Sequence, residues 1–218
     1  KELGIDCDEL IVNLKKDFET KLTGDKKIAF LSSRGEHYNA RIIAEYFNKC
    51  GLNTRLVLPE EIGFTVSDDF LSAKVLEESY QNFEQLKDEE QICLFPGYYG
   101  VTIDGDIAVL SRGGSDLTGG EIAYSVNASL YENWSDIDGV YEVDPRIVHN
   151  ADVVPRLTFK EIRLLSSKGF NVFHFDAMVN CRKRNIPINI RNTNRPSATG
   201  TMILNERVPN KEEVGIAK

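Results

Sequence analysis

The segment best suited to chemistry in this sequence is Ser111-Arg112-Gly113-Gly114-Ser115-Asp116. Apolar residues 107–110 predict a short buried strand before it, and residues 117–130 predict a helix after it. Residues 112–116 should then form the strand-to-helix turn, where glycine lets an anion approach backbone N–H groups. Arg112 can bind such an anion through paired hydrogen bonds. Alternatively, Ser115 and Asp116 only cap the helix, and the residues alone leave both interpretations open.

A second polar loop follows another predicted strand, Tyr131–Trp134. The residues from Ser135 to Tyr141 include two carboxylates, and Asp144-Pro145-Arg146 comes shortly afterwards. Pro145 keeps Asp144 out of helical geometry and displays its carboxylate beside a guanidinium. In open α/β sheets ligands bind at the carboxyl ends of strands, so this loop and the glycine turn are candidates to meet at one ligand. A solvated loop with a surface ion pair is the alternative.

Helical and strand patterns alternate along the rest of the chain. This rhythm predicts an α/β layered domain with a largely parallel sheet. Ile28–Leu31 fits either a strand or a helical turn. The other expected elements are helices over Asp8–Leu22 and Leu71–Leu86, a helix opened by Ser32–Glu36, and strands over Thr54–Leu58 and Gln91–Phe95.

Composition narrows the class of protein. The 218 residues are 41% hydrophobic and 28% charged, which is enough for a substantial core. A formal net charge of -8 argues against nucleic acid and membrane surfaces as partners. The four cysteines are widely spaced without a CxxC pair, which argues against a zinc or redox motif and suits a reducing, cytoplasmic location.

Four segments together resemble the aspartokinases, a branch of the amino acid kinase family. The likeness extends from about Asp8 through Leu204, and residues 214–218 resemble the start of the regulatory ACT region of that family. It implies a kinase catalytic domain over residues 1–205 and a linker over residues 206–218. The segments are Ser33-Arg34-Gly35-Glu36, Pro96-Gly97-Tyr98-Tyr99-Gly100, Ser111 to Asp116, and Trp134-Ser135-Asp136 through Gly139-Val140-Tyr141 to Asp144-Pro145-Arg146.

The resemblance implies a fold and a reaction. The fold is the three-layer α/β amino acid kinase fold, with helices flanking a largely parallel central sheet and the N-terminal part missing. The reaction transfers the γ-phosphoryl group of ATP to the side-chain carboxylate of L-aspartate, giving 4-phospho-L-aspartate for lysine, threonine and methionine biosynthesis. ATP with Mg²⁺ is the implied nucleotide, and association into homodimers is implied by analogy.

Residue roles also follow from the resemblance alone. Aspartokinases bind the amino acid through residues that correspond here to Glu36, Arg112 and Ser115, with an aromatic residue at Tyr98. An ordinary core aromatic remains the alternative for Tyr98. Asp116 matches a carboxylate that organises the catalytic groups. The implied nucleotide contacts are Ser135, Asp136, Tyr141, Asp144 and Arg146.

The sequence also departs from the family pattern. The K-F-G-G-[ST]-S phosphate-binding loop has no counterpart within Lys1–Gly35, and Asn171 stands where family members commonly have a lysine. His174 is expected to be structural, because phosphorylation of a carboxylate needs no general base. Lys168 is a further candidate cation for phosphate, but it is expected to face solvent. We therefore expect negligible phosphoryl transfer by the isolated chain. The alternative function is a non-catalytic amino-acid-binding module.

Overall fold

The computed structural model describes residues 3–143, 147, 148, 150–167 and 175–206. The chain divides into two compact units, Lys1–Thr118 and Gly119–Lys218. No helix in the described ranges is both long enough and apolar enough to cross a membrane. Each unit builds its own sheets and core.

The first unit begins with two helices, α1 (Asp8–Phe18) and α2 (Gly24–Lys49). Asp17 near the end of α1 accepts a hydrogen bond from the Tyr38 hydroxyl at 2.8 Å and lies 3.5 Å from the guanidinium of Arg34. These contacts attach α1 to the middle of α2. The predicted helix over Asp8–Leu22 is confirmed, although it ends four residues earlier, at Phe18.

One long helix covers residues 28–47. The helical alternative for Ile28–Leu31 is confirmed, and the helix expected to open at Ser32–Glu36 begins earlier, at Gly24. Residues 28–31 and Ser32–Glu36 both lie inside α2, so neither a strand nor a helix start occurs there. The physical reason is a stripe of buried residues that recurs every three or four positions, as one face of a helix requires. Its members are Ala29, Ser33, His37, Ala40 and Ala44.

Strands β1 (Thr54–Leu56) and β2 (Ile92–Leu94) pair in parallel, and the chain between them forms α3 (Pro59–Ile62) and α4 (Glu78–Glu84). The prediction of one helix over Leu71–Leu86 is therefore mostly wrong, because only Glu78–Glu84 is helical there. The amide of Ala73 instead donates to the Val109 carbonyl at 3.0 Å, and the Val109 amide donates to Phe70 at 2.8 Å. Backbone groups engaged by a neighbouring strand are unavailable for a helix.

Strands β3 (Tyr99–Val101) and β4 (Ile107–Val109) form an antiparallel hairpin in the first unit. The sequence predicted β4 but not β3, whose glycine-rich surroundings resemble a loop. Ala29 of α2, Tyr99 of β3 and Val109 of β4 form one fully buried cluster. Helix α5 (Gly114–Ser125) follows β4 and continues into the second unit.

The second unit contains a four-stranded sheet in the order β5-β7-β8-β6. The β5–β7 and β6–β8 pairs are parallel, whereas β7–β8 is antiparallel. Ile188, Ile190 and Ile203 are fully buried on this sheet. Together with the β1–β2 pair, these parallel pairings and the flanking helices confirm the α/β class. The elements of this unit are β5 (Tyr131–Ser135), β6 (Arg156–Thr158), α6 (Phe159–Ser167), α7 (Phe175–Lys183), β7 (Ile188–Asn192) and β8 (Thr201–Leu204).

Candidate functional site

The glycine turn connects β4 to α5, as the sequence predicted. Gly113 has a φ of 79°, a left-handed conformation that favours glycine, and its carbonyl accepts the Leu117 amide at 2.9 Å. The helix begins at Gly114, so Ser115 and Asp116 lie within its first turn rather than before it. Arg112 is exposed at this turn. An exposed guanidinium beside the positive end of a helix dipole is suited to bind an anion.

The loop at Gly97 and Tyr98 packs directly on this turn. A Cβ placed on Gly97 would lie 3.1 Å from the Cα of Ser115, and one on Gly114 would lie 2.9 Å from the ring of Tyr98. Only glycine at both positions permits this approach without displacement. Two of the segments that carried the resemblance are thus in contact.

Tyr98 is held in an unusual backbone conformation at this contact. Its φ is 79°, which is uncommon for a residue with a side chain. Its amide donates to the Thr118 hydroxyl at 3.1 Å, and its carbonyl accepts the Leu110 amide at 2.7 Å. Both bonds fix Tyr98 against the residues on either side of the glycine turn. Its side chain is half-buried, and its contact with the ligand stays a prediction.

The segment containing Glu36 reaches the same region through α2. Glu36 is half-buried, and the next residue, His37, is buried with its Nδ1 atom 2.9 Å from the Tyr99 hydroxyl oxygen. Tyr99 in turn follows Tyr98. The three segments with predicted amino-acid-binding residues therefore adjoin one another within the first unit.

A buried polar network beside these segments was not predicted from the sequence. Arg34 is 7% exposed and donates to Ser33 Oγ and to the Phe30 carbonyl. Burial, with Arg34 and Arg41 nearby, lowers the pKa of His37 from 6.5 to about 4. Burial also raises the pKa of Tyr99. The spacing of Ser33, His37 and Arg41, four residues apart on one helix, was the available signal.

The second polar loop follows β5 in the second unit. Ser135 ends this strand, and its carbonyl accepts bonds from both the amide and the hydroxyl of Thr193, each at 2.8 Å. Asp136 is exposed. Gly139 has a φ of 143°, and a Cβ there would lie 2.5 Å from Thr201 Oγ1. The loop therefore contacts Thr193, which follows β7, and Thr201, the first residue of β8, whose hydroxyl accepts the Val140 amide at 2.8 Å.

Asp138, which the sequence did not single out, organises this loop. Its carboxylate accepts bonds from Asn192 at 2.8 Å, Arg195 at 2.6 Å and the Tyr141 hydroxyl at 3.1 Å. The hydrogen bond from Asn192, with those from Tyr141 and Arg195, holds the pKa of Asp138 below its ordinary value. Tyr141, a predicted nucleotide contact, is thus fixed by an aspartate three residues earlier.

Several predicted residues cannot be placed. Asp144 and Arg146 lie outside the described residues, as do Lys168, Asn171 and His174. The roles of Glu36, Tyr98, Arg112, Ser115, Asp116, Ser135, Asp136 and Tyr141 stay predictions, as does the meeting of the two loops at one ligand.

No metal-binding group of three or more His, Cys, Asp or Glu side chains occurs in the part of the chain that the structure describes. Mg²⁺ that accompanies a nucleotide needs no such group, because phosphate oxygens and water supply most of its ligands. Two cavities of about 580 and 410 Å³ lie beside α6 and α7. Neither lining includes a predicted site residue, so neither supports the predicted site.

Comparison with known proteins decides the family. The sequence pattern of the amino acid kinase family matches residues 2–192. The chain belongs to the amino acid kinase family. Within that family it is 40% identical to aspartokinase 3 of Bacillus subtilis, over 95% of this chain and 47% of the relative. The chain thus spans about half the length of the curated relatives it matches.

Solved structures of amino acid kinases agree with this assignment. The aspartate kinase of Clostridium acetobutylicum has 34% identity and a TM-score of 0.78, covering 95% of this chain and 45% of that one. Aspartokinase III of Escherichia coli, in complex with aspartate and ADP, has 23% identity and a TM-score of 0.82, covering 92% and 46%. The second likeness concerns the fold alone.

Proposed function

We propose that this chain is part of an aspartokinase, which transfers the γ-phosphoryl group of ATP to the side-chain carboxylate of L-aspartate. The product is 4-phospho-L-aspartate, and the reaction opens lysine, threonine and methionine biosynthesis. The observation that carries the proposal is the contact of the Tyr98 loop with the glycine turn, in a chain 40% identical to an aspartokinase. The aspartokinase relatives favour this function over a non-catalytic amino-acid-binding module.

The first unit supplies the proposed aspartate site. Arg112 pairs with the α-carboxylate and Glu36 with the α-ammonium group, since each carries the opposite charge. Ser115 donates a hydrogen bond, and Tyr98 covers the ligand. Asp116, in the first turn of α5, organises the groups around the reacting carboxylate.

The second unit supplies the proposed nucleotide site. The proposal assigns Ser135, Asp136 and Tyr141 to the nucleoside part, and it assigns Asp144 and Arg146 to the phosphates. ATP and Mg²⁺ belong to the proposal, because Mg²⁺ neutralises phosphate charge during phosphoryl transfer. Aspartokinase III of E. coli, which shares the fold, was solved with aspartate and ADP, the pair of ligands that the proposal requires.

The proposed chemistry needs positioning more than proton transfer. A side-chain oxygen of aspartate attacks the γ-phosphorus, and the bond from that phosphorus to the β–γ bridging oxygen breaks, releasing ADP. The nucleophile is already ionised at neutral pH, since carboxylic acids have a pKa of about 4. In this proposal Arg112 binds aspartate and Arg146 binds the phosphates, so each anionic substrate has its own cation.

Further features of the whole protein are part of the proposal. Residues 1–205 form the kinase domain and residues 206–218 a linker, and the protein acts as a homodimer in the cytoplasm. The four cysteines are free thiols, which suits a reducing compartment.

Calorimetric titration of the chain with L-aspartate tests the proposal. We expect binding to the unaltered chain and at least about a 100-fold weaker affinity for Arg112→Ala, because the α-carboxylate loses its paired cation. Arg55→Ala is the matched control, since Arg55 is an exposed arginine of the same unit that pairs with Glu89. Absence of aspartate binding by the unaltered chain, or equal loss in both variants, would overturn the assignment.

A further inference from the structure

Four side chains of the first unit form a chain of hydrogen bonds in which each group donates to the next. In order, they belong to Arg41, His37, Tyr99 and Glu60. The Arg41 guanidinium, which can only donate, places its Nε 3.0 Å from Nε2 of His37, so Nε2 is the acceptor. The ring proton of a neutral imidazole must then be on Nδ1, which lies 2.9 Å from the Tyr99 hydroxyl oxygen. The Tyr99 hydroxyl donates in turn to Glu60 at 3.4 Å.

The surroundings keep this imidazole neutral. His37 is 7% exposed and Tyr99 is completely buried. The charges of Arg34 and Arg41 on α2 disfavour a third positive charge on His37. Asp17 of α1 and Glu60 of α3 are the acids that face the pair of His37 and Tyr99. With a pKa of about 4, His37 remains uncharged at neutral pH. It can therefore accept from Arg41 and donate to Tyr99 simultaneously.

The pair lies one residue from two proposed aspartate contacts. His37 follows Glu36 on α2, and Tyr99 follows Tyr98 at the start of β3. Tyr98 is itself bonded on both sides of the glycine turn, through Thr118 and Leu110. Side chains held only by packing can shift by a fraction of an ångström, whereas a buried hydrogen bond fixes the direction and distance between its two groups.

We propose that His37, as the neutral Nδ1–H tautomer, is a positioning residue that sets Glu36 relative to Tyr98 through its hydrogen bond to Tyr99. This inference rests on the proposed aspartate site. It adds a residue outside the set that contacts the ligand. The bond spans 62 positions of the sequence and joins α2 to β3 at the site.

Tyr99→Phe and Tyr38→Phe test the proposal as a matched pair. Each removes one hydroxyl from the first unit. The Tyr99 hydroxyl accepts from His37 and donates over a longer distance to Glu60, and the Tyr38 hydroxyl donates to Asp17. Aspartate affinity measured by calorimetry should fall about five- to tenfold in Tyr99→Phe, as expected for one lost buried bond. It should stay within about twofold in Tyr38→Phe, and ADP affinity within about twofold in both.

Conservative replacement gives a second readout. The amide of His37→Asn can still donate near the position of Nδ1, whereas His37→Leu cannot. We expect the Asn variant to retain most of the aspartate affinity that the Leu variant loses. Long-range ¹H–¹⁵N spectra of the unaltered chain should show His37 protonated on Nδ1 alone, assigned by its disappearance in His37→Asn.

The outcomes separate this inference from the proposed function. No aspartate binding by the unaltered chain would remove both. Normal binding by the unaltered chain with unchanged affinity in Tyr99→Phe and His37→Leu would overturn the positioning role alone. An Nε2–H tautomer, or equal losses of aspartate and ADP affinity, would also overturn it.

Discussion

At the scale of single residues, His37 makes the stability of the first unit depend on pH. The folded chain keeps this imidazole neutral down to about pH 4, whereas an unfolded histidine takes up a proton near pH 6.5. Between these values the unfolded state binds more protons, so the free energy of unfolding rises with pH. The contribution of His37 to the free energy of unfolding has its full value above pH 6.5 and is lost as the pH falls to 4.

His37→Asn should flatten this dependence. We expect urea unfolding of the unaltered chain to lose on the order of 2–3 kcal/mol from this group between pH 6.5 and 4, at 1.36 kcal/mol per pKa unit. The Asn variant should lack that part of the slope, because its side chain does not titrate. Identical slopes in both proteins would show that His37 is not kept neutral by the fold.

In the second unit, the carboxylate of Asp138 contributes to stability through three hydrogen bonds. Asp138→Ala leaves Tyr141, Asn192 and Arg195 without their shared acceptor, so the free energy of unfolding should fall by about 1–3 kcal/mol. Glu132→Ala is the matched control, because its bond to Arg191 is a partly exposed ion pair. Such pairs contribute about 0–1 kcal/mol. Urea denaturation of both variants checks this, and a larger loss from Glu132→Ala would contradict it.

At the scale of the element, α2 and α5 use glycine in opposite ways. Gly35 lies inside α2 with open space around it, so no contact requires a missing side chain there. Gly120 lies inside α5 where a Cβ would be 2.2 Å from the carbonyl oxygen of Ala177 in α7. Gly35 therefore only costs conformational entropy, whereas Gly120 permits two backbones to approach.

Gly35→Ala should stabilise the chain. Alanine is the better helix former by about 0.8–1.0 kcal/mol, and the site offers no clash. Thermal unfolding should therefore shift upward. A lower unfolding temperature would contradict this, because it would mean that a methyl group at position 35 meets other atoms instead of open space.

Gly120→Ala should destabilise the chain by about 1–3 kcal/mol, because a carbonyl of α7 must move. Gly119→Ala is its neighbour control. The atoms nearest to a Cβ there belong to the Tyr131 side chain, with the hydroxyl oxygen at 2.5 Å, and a side chain can shift more readily than a backbone. Comparable losses in the two variants, measured by urea unfolding, would contradict the close approach of α5 and α7.

At the scale of the whole molecule, a chain with a formal net charge of -8 is proposed to bind two anions. Long-range attraction cannot supply that binding, so individual arginines must. Arg112 in the first unit and Arg146 in the second are the proposed cations for aspartate and for phosphate respectively.

Arg146→Ala should weaken ADP binding far more than aspartate binding, the reverse of Arg112→Ala. A loss of about tenfold or more is expected when a charge-assisted phosphate contact is removed. Calorimetry with each ligand on both variants measures the contrast. Equal losses of the two ligands in either variant would contradict the division of substrates between the two units.

The spacing of residue types along the sequence determined the fold class and much of the secondary structure of this protein. The alternation of helical and strand patterns predicted the α/β class, and residues 107–130 predicted a strand, a glycine turn and a helix in that order. These features depend on neighbours in the sequence, which set backbone preference and hydrophobic periodicity. The residue types of the turn also predicted anion binding as its chemistry, and that role stays a prediction.

Tertiary structure decided the rest. Whether residues 28–36 are strand or helix depended on the buried stripe of α2, and whether residues 71–77 are helical depended on bonds to β4. The contacts of His37 with Tyr99, and of Asp138 with the buried Asn192, join residues more than fifty positions apart. No local pattern encodes such pairs, because they form only when packing brings two faces together and removes water from between them.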